Sequence, residues 1–161
     1  MKTNDPANDI RVGSRQIGYE EIDHRRPSDV RTSVLWVEIP YTTPELTRVA
    51  LRHVAARSDL NVYVSLVDIQ VVPFPCPLDQ PPINGEFSEH RLRELFKEAG
   101  LSGRTAVLYT RDWLEGFLRV LEPRSLVVMA IHKRWWRTRE TKRARALSKA
   151  GHQVMLLPTG R

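Results

Sequence analysis

The chain has 161 residues, 41% of them apolar, which suffices for one domain with a sizeable core and falls short of two comfortable ones. No run approaches the roughly 20 apolar residues of a membrane span, no hydrophobic leader opens the chain, and the single cysteine, Cys76, excludes an internal disulfide; a membrane-free, cytoplasmic protein is the expectation. The net charge of +6 and the pI near 9.9 favour anionic partners.

Residues 1–32 hold six bases and six acids, few large apolar side chains and turn formers such as Asn4-Asp5-Pro6. So little apolar surface cannot offset the entropy of ordering, and a disordered tail is expected, followed by one domain over 33–161. Val34 to Ile39 is near-continuously apolar and predicts a buried strand. Thr43 then caps a helix that Pro44 opens, with Leu46, Val49, Ala50 and Val54 at helical spacing. Asn61 to Val72 alternates in part and predicts a second strand, less completely buried than the first. Five prolines within 73–82 predict an extended polyproline-type connection, in which Cys76 is a packing residue. Ser88 is placed to cap a second helix facing inward through Leu92, Leu95, Phe96 and Ala99, closed by Gly100.

Arg104 to Thr110 predicts the third strand. Asp112 and Glu115 resemble a capping box for a helix with Leu114, Phe117, Leu118 and Leu121 inward, which Pro123 stops. Leu126 to Ile131 is wholly apolar and predicts a fourth, central strand. A last helix begins near Thr138, turns Ala144, Leu147 and Ala150 inward and ends at Gly151, and Val154 to Leu157 is the fifth strand.

Strands alternating with helices imply right-handed crossovers and a three-layer, Rossmann-like α/β sheet of five parallel strands. With the two most apolar strands adjacent, the order is 3-2-1-4-5, and the switch point between the first and fourth strands is where such sheets hold ligands. Onto that crevice open the loop with Pro40 and Thr42 and the segment from His132. Between His132 and Arg145 stand seven bases (Lys133, Arg134, Arg137, Arg139, Lys142, Arg143, Arg145) against Glu140 alone, a surplus equal to that of the whole chain. The candidate ligand residues are therefore Glu38, Pro40, Thr42, His132, Lys133, Arg134, Arg137 and Thr138, with Glu38 facing the bases and either touching a ligand or pairing with Arg134 or Arg137. The bland alternative for Lys142, Arg143 and Arg145 is a solvated helix face. Trp135 and Trp136 are adjacent and point apart, so at most one is a stacking platform. The five histidines show no metal spacing, and no nucleophile and base can be paired, which favours a non-enzymatic role.

This order of elements over Val34 to Pro158, with the apolar fourth strand and the closing Gly151-His-Gln-Val-Met-Leu-Leu-Pro158, resembles the universal stress protein family. The resemblance implies a nucleotide-binding type of α/β fold, a cytoplasmic stress-related or regulatory role, and a homodimer paired through the last strand. Members that bind ATP carry an acidic residue at the end of the first strand, which Glu38 matches approximately, and a glycine-rich phosphate loop after the fourth. Here no glycine occurs between Gly116 and Gly151, so backbone amides cannot wrap a phosphate in the family's manner. The ligand expected is an anion, ATP or another nucleotide or a phosphate. The alternatives are a nucleic-acid-binding module using the basic 132–145 surface, and a protein-interaction domain using the proline-rich 73–82 loop.

Overall fold

The computed structural model describes residues 11–12, 34–57, 61–79, 81, 83–101, 103–132 and 138–160. Along the chain run β1 (Arg11–Val12), β2 (Leu35–Pro40), α1 (Pro44–Ala55), β3 (Val62–Val71), α2 (Gly85–Ala99), β4 (Gly103–Thr110), α3 (Trp113–Val120), β5 (Leu126–His132), α4 (Arg139–Lys149) and β6 (Gln153–Thr159). The sheet order is β1-β4-β3-β2-β5-β6. The five longer strands are all parallel, in the 3-2-1-4-5 arrangement that the alternation of elements implies. Arg11 and Val12 add a short antiparallel edge beside Tyr109 and Leu108; the rest of the expected tail lies outside the described residues.

Side chains of alternate strand positions separate onto two helical layers. Val37, Ile39, Val64, Leu66, Val107 and Val128 meet Ala50, Leu51 and Val54 of α1 and Leu92, Leu95 and Phe96 of α2. On the other face Val67, Ile69, Leu108, Val127 and Met129 meet Trp113 and Phe117 of α3 and Ala144 and Leu147 of α4. Each buried Val, Leu, Ile, Phe or Met side chain among them contributes roughly 1.5–3 kcal/mol, so both faces of the sheet are held. Among the described residues no helix is long and apolar enough to cross a membrane.

Helix starts follow the expected chemistry at three of four sites: the side chains of Thr43, Asp112 and Thr138 accept hydrogen bonds from Leu46, Glu115 and Thr141 backbone N–H groups. At α2 the cap is Asn84, whose side chain accepts from Glu86 N–H at 2.9 Å, and Ser88 is instead buried inside the helix, one turn later. Gly100 (φ 65°) and Gly151 (φ 92°) close α2 and α4 in the left-handed conformation that glycine adopts freely. Ala150, expected inward, is the exposed C-cap.

Two further expectations are corrected. Six consecutive residues of β3 are buried against four of β2; helices of both layers cover β3, so its polar positions are enclosed rather than solvated. The proline-rich connection is not extended. It turns at Phe74–Pro75, a cis peptide, and again at Leu78–Asp79, because proline forbids ladder hydrogen bonds but suits turns. Cys76 packs partly buried against the core, its N–H donating to Pro73 O at 3.0 Å.

Candidate functional site

Between β2 and β5 the register holds only Val37 opposite Leu126 and Glu38 opposite Val127, whereas β5 and β6 stay in register along all of Leu126–His132. β2 ends at Pro40 and turns into α1, while β5 runs on to His132. The strand ends thus part at the switch point, the place where open α/β sheets leave a crevice. The walls are the Tyr41–Thr43 turn and the end of β5.

Pro40 is the last residue of β2, and the next amide, Tyr41 N–H, donates to Val67 O at 2.7 Å. The turn is further held by Thr42 N–H, which donates to Thr47 Oγ1 at 3.4 Å. Thr43 and Thr138 cap α1 and α4 at this end of the sheet, so the positive ends of two helix dipoles lie toward the strand ends. His132 is exposed, and Thr159 Oγ1 donates to Ile131 O at 3.0 Å while sitting 3.5 Å from His132 Nδ1. Glu45 in the first turn of α1 has its carboxyl held below the usual range, chiefly by a hydrogen bond to its own backbone and one to Thr43, with a smaller pull from His132. The structure therefore brings Pro40, Thr42, His132 and Thr138 to one end of the sheet. Lys133, Arg134, Trp135, Trp136 and Arg137 lie outside the described residues.

Glu38 is elsewhere. It is level with Val127, and His132 stands five residues further along β5, roughly 16 Å at strand rise. Its side chain shares the α3/α4 face with Ser65 and Arg104, its lateral neighbours across β3 and β4. The sequence suggests a carboxylate opposite the basic loop. Register instead places it toward the starts of β4 and β5, fully buried.

There Arg104 lies 3.7 Å from Glu38 Oε1 and 3.9 Å from Glu122 Oε1, and donates weakly to Ser65 Oγ at 3.4 Å. Neither carboxyl oxygen of Glu38 has a hydrogen-bond partner of normal geometry among the described residues, nor does the buried Ser125 hydroxyl. Burial pushes the Glu38 carboxyl up; the nearby Ser65 hydroxyl, the Arg104 charge and the Glu122 backbone offset this only in part. Burial without a close hydrogen-bond partner thus works against the charged form.

A second polar cluster escapes a sequence reading. Asp68, buried in β3, takes Arg91 Nη2 at 3.0 Å and Gln70 Nε2 at 3.2 Å, and Gln70 also donates to Ser88 Oγ at 2.7 Å. The Arg91 guanidinium lies 4.2 Å from the centroid of the Tyr41 ring, whose hydroxyl is pushed up first by burial. Arg111 clamps the proline-rich turn by donating to the carbonyls of Val72, Pro73 and Cys76 at 2.8, 3.1 and 2.9 Å, while stacking on Phe74. Arg143 is not on a solvated face: its guanidinium lies 4.2 Å from the Trp113 ring centroid, and burial, then repulsion from Arg139, lowers its pKa to about 10. The one visible hint of these partners is an aspartate in the middle of a predicted strand. The arginines carry no local signal, since their partners come from other elements. Among the described residues no three His, Cys, Asp or Glu side chains gather as a metal site.

No family model matches the chain, and no curated protein matches it. A solved structure, described as that of a protein from the universal stress protein family from Burkholderia pseudomallei, is similar to it with a TM-score of 0.44 and 18% sequence identity, over 80% of this chain and 97% of that one.

Proposed function

We propose that this chain is a non-enzymatic, regulatory α/β domain of the universal-stress-protein type, acting in the cytoplasm, whose switch-point crevice takes an anionic ligand, a nucleotide or a phosphate. The observation that carries this reading is the parting of β2 and β5 beside two capped helix N-termini, together with a connecting sequence, 133–137, that is three-fifths basic. Helix dipoles and arginines both favour a negative guest. Side-chain cations take over the role that a glycine-rich loop plays through backbone amides.

The test is thermal unfolding with ATP, ADP, AMP and inorganic phosphate. A ligand present at 100 times its Kd stabilises by about 2.7 kcal/mol, and a chain of this size should gain roughly 5–10 °C in Tm. The Arg134→Glu/Arg137→Glu double variant should lose that gain while keeping its unliganded Tm. No shift with any of the four in the unaltered protein would remove the ligand and leave only the fold.

A further inference from the structure

α3 has eight residues, about 12 Å at helical rise, against roughly 26 Å for the eight residues of β4. The strand starts on this face therefore meet the turn Glu122–Ser125 rather than a helix. Ser125 N–H closes that turn onto Glu122 O at 3.1 Å, and Arg124 within it takes the left-handed conformation, φ 65°. Beside the turn lies the Glu38 corner. Two groups there are inaccessible and unsatisfied at once: both carboxyl oxygens of Glu38, 0% exposed, and the hydroxyl of Ser125, 1% exposed, lack a hydrogen-bond partner among the described residues. Buried acceptors without donors are costly, so a guest that donates to them is favoured.

Arg104 reaches Glu38 at 3.7 Å, Glu122 at 3.9 Å and the Ser65 hydroxyl at 3.4 Å, none of them a close hydrogen bond. Its side chain is 37% exposed, so it can swing into solvent without breaking a strong contact. Two carboxylates sharing one loosely held guanidinium make this corner acidic in a chain whose net charge is +6. Two residues before Glu38 and on the same face, Trp36 packs against Tyr63 across the β2–β3 pair, ring centroids 4.5 Å apart, and remains 37% exposed. An indole face attracts a cation and covers an alkyl stem. Charge and shape together select the guest. An anion would be repelled by the carboxylates, an alkali ion would make no use of the indole, and a neutral alcohol would bring no charge. We propose that the Glu38 corner binds a small alkylammonium ion, whose ammonium takes the place of the Arg104 guanidinium and donates to Glu38 and to the Ser65 and Ser125 hydroxyls while its alkyl stem lies on Trp36. Arg104 is the resident competitor. This site lies toward the strand starts, away from the crevice, so either proposal can fail without the other.

The probe is n-butylammonium chloride, titrated into the full, isotopically labelled chain at pH 8, which favours the charged carboxyl against the upward push of burial; potassium chloride and 1-butanol are the controls. Butylammonium should give saturable amide shifts at Trp36, Glu38, Ser65, Arg104 and Ser125, and neither control should reproduce them. Glu38→Gln, which keeps the shape and drops the charge, should abolish saturation. Trp36→Ala should weaken binding about three- to fivefold. Arg104→Ala removes the competitor and should tighten binding about tenfold, a gain that a weakened fold cannot produce. The proposal is overturned if butylammonium saturates neither the unaltered chain nor Arg104→Ala, if potassium ions or 1-butanol shift the same amides as strongly, if Glu38→Gln binds as well as the unaltered chain, or if Arg104→Ala binds no tighter.

Discussion

Glu38 is the residue most at odds with its surroundings, a fully buried carboxyl whose nearest cation stands at 3.7 Å. Burial raises its pKa in the folded chain above the ordinary value of 4.5. The folded state then binds a proton that the unfolded state releases, so stability falls as pH rises from the ordinary carboxyl range through the raised value. Glu38→Gln, which keeps the shape and is never charged, should match the unaltered protein near pH 4 and exceed it in urea midpoint increasingly toward pH 8; parallel pH profiles would show that Glu38 is not the group responsible. Asp68 is the opposite case, a buried acid with a partner. Arg91→Ala strands it with Gln70 alone and should cost about 2–3 kcal/mol, below the range for fully buried pairs because the Arg91 side chain is 30% exposed. Asp68→Asn, which still hydrogen-bonds, should cost less, and urea unfolding at unchanged m-value is the measure.

Two glycines that look alike in the sequence differ at the level of elements. Gly103 opens β4 where a Cβ would lie 2.1 Å from Val64 O and 3.2 Å from the Phe96 ring, whereas Gly100 has φ 65° and open space around it. Gly103→Ala should therefore separate β4 from β3 and cost about 3 kcal/mol or more. Gly100→Ala should cost about 1 kcal/mol, with calorimetry separating the two. Helix ends follow a similarly local chemistry. Thr138→Ala should lose about 1 kcal/mol and increase amide exchange in the first turn of α4, leaving α1 unchanged. Caps are legible because a cap is a short-range device; at α2 the expected cap is Ser88 and the actual one Asn84, since both residue types suit the role and only the path of the preceding turn decides between them. Prolines at 73–82 declared a break in regular structure, while its turned shape rests on three carbonyls held by Arg111, far away in the chain.

At the scale of the whole molecule, the charge surplus is concentrated in one stretch, His132 to Arg145, and the rest of the chain is electrically balanced. Apolar runs, helical spacing and alternation of elements by themselves determined a parallel α/β sheet with the order observed, because burial on both faces and the handedness of crossovers leave few arrangements. They also located the concentration of positive charge after the fourth long strand. Tertiary structure alone decided the level and face at which each polar residue came to rest. Glu38 left the crevice for the buried seam, Arg143 turned from solvent onto Trp113, and Asp68 found Arg91. Periodicity and capping act over a few residues, whereas strand register and side-chain pairing are set by packing between segments tens of residues apart.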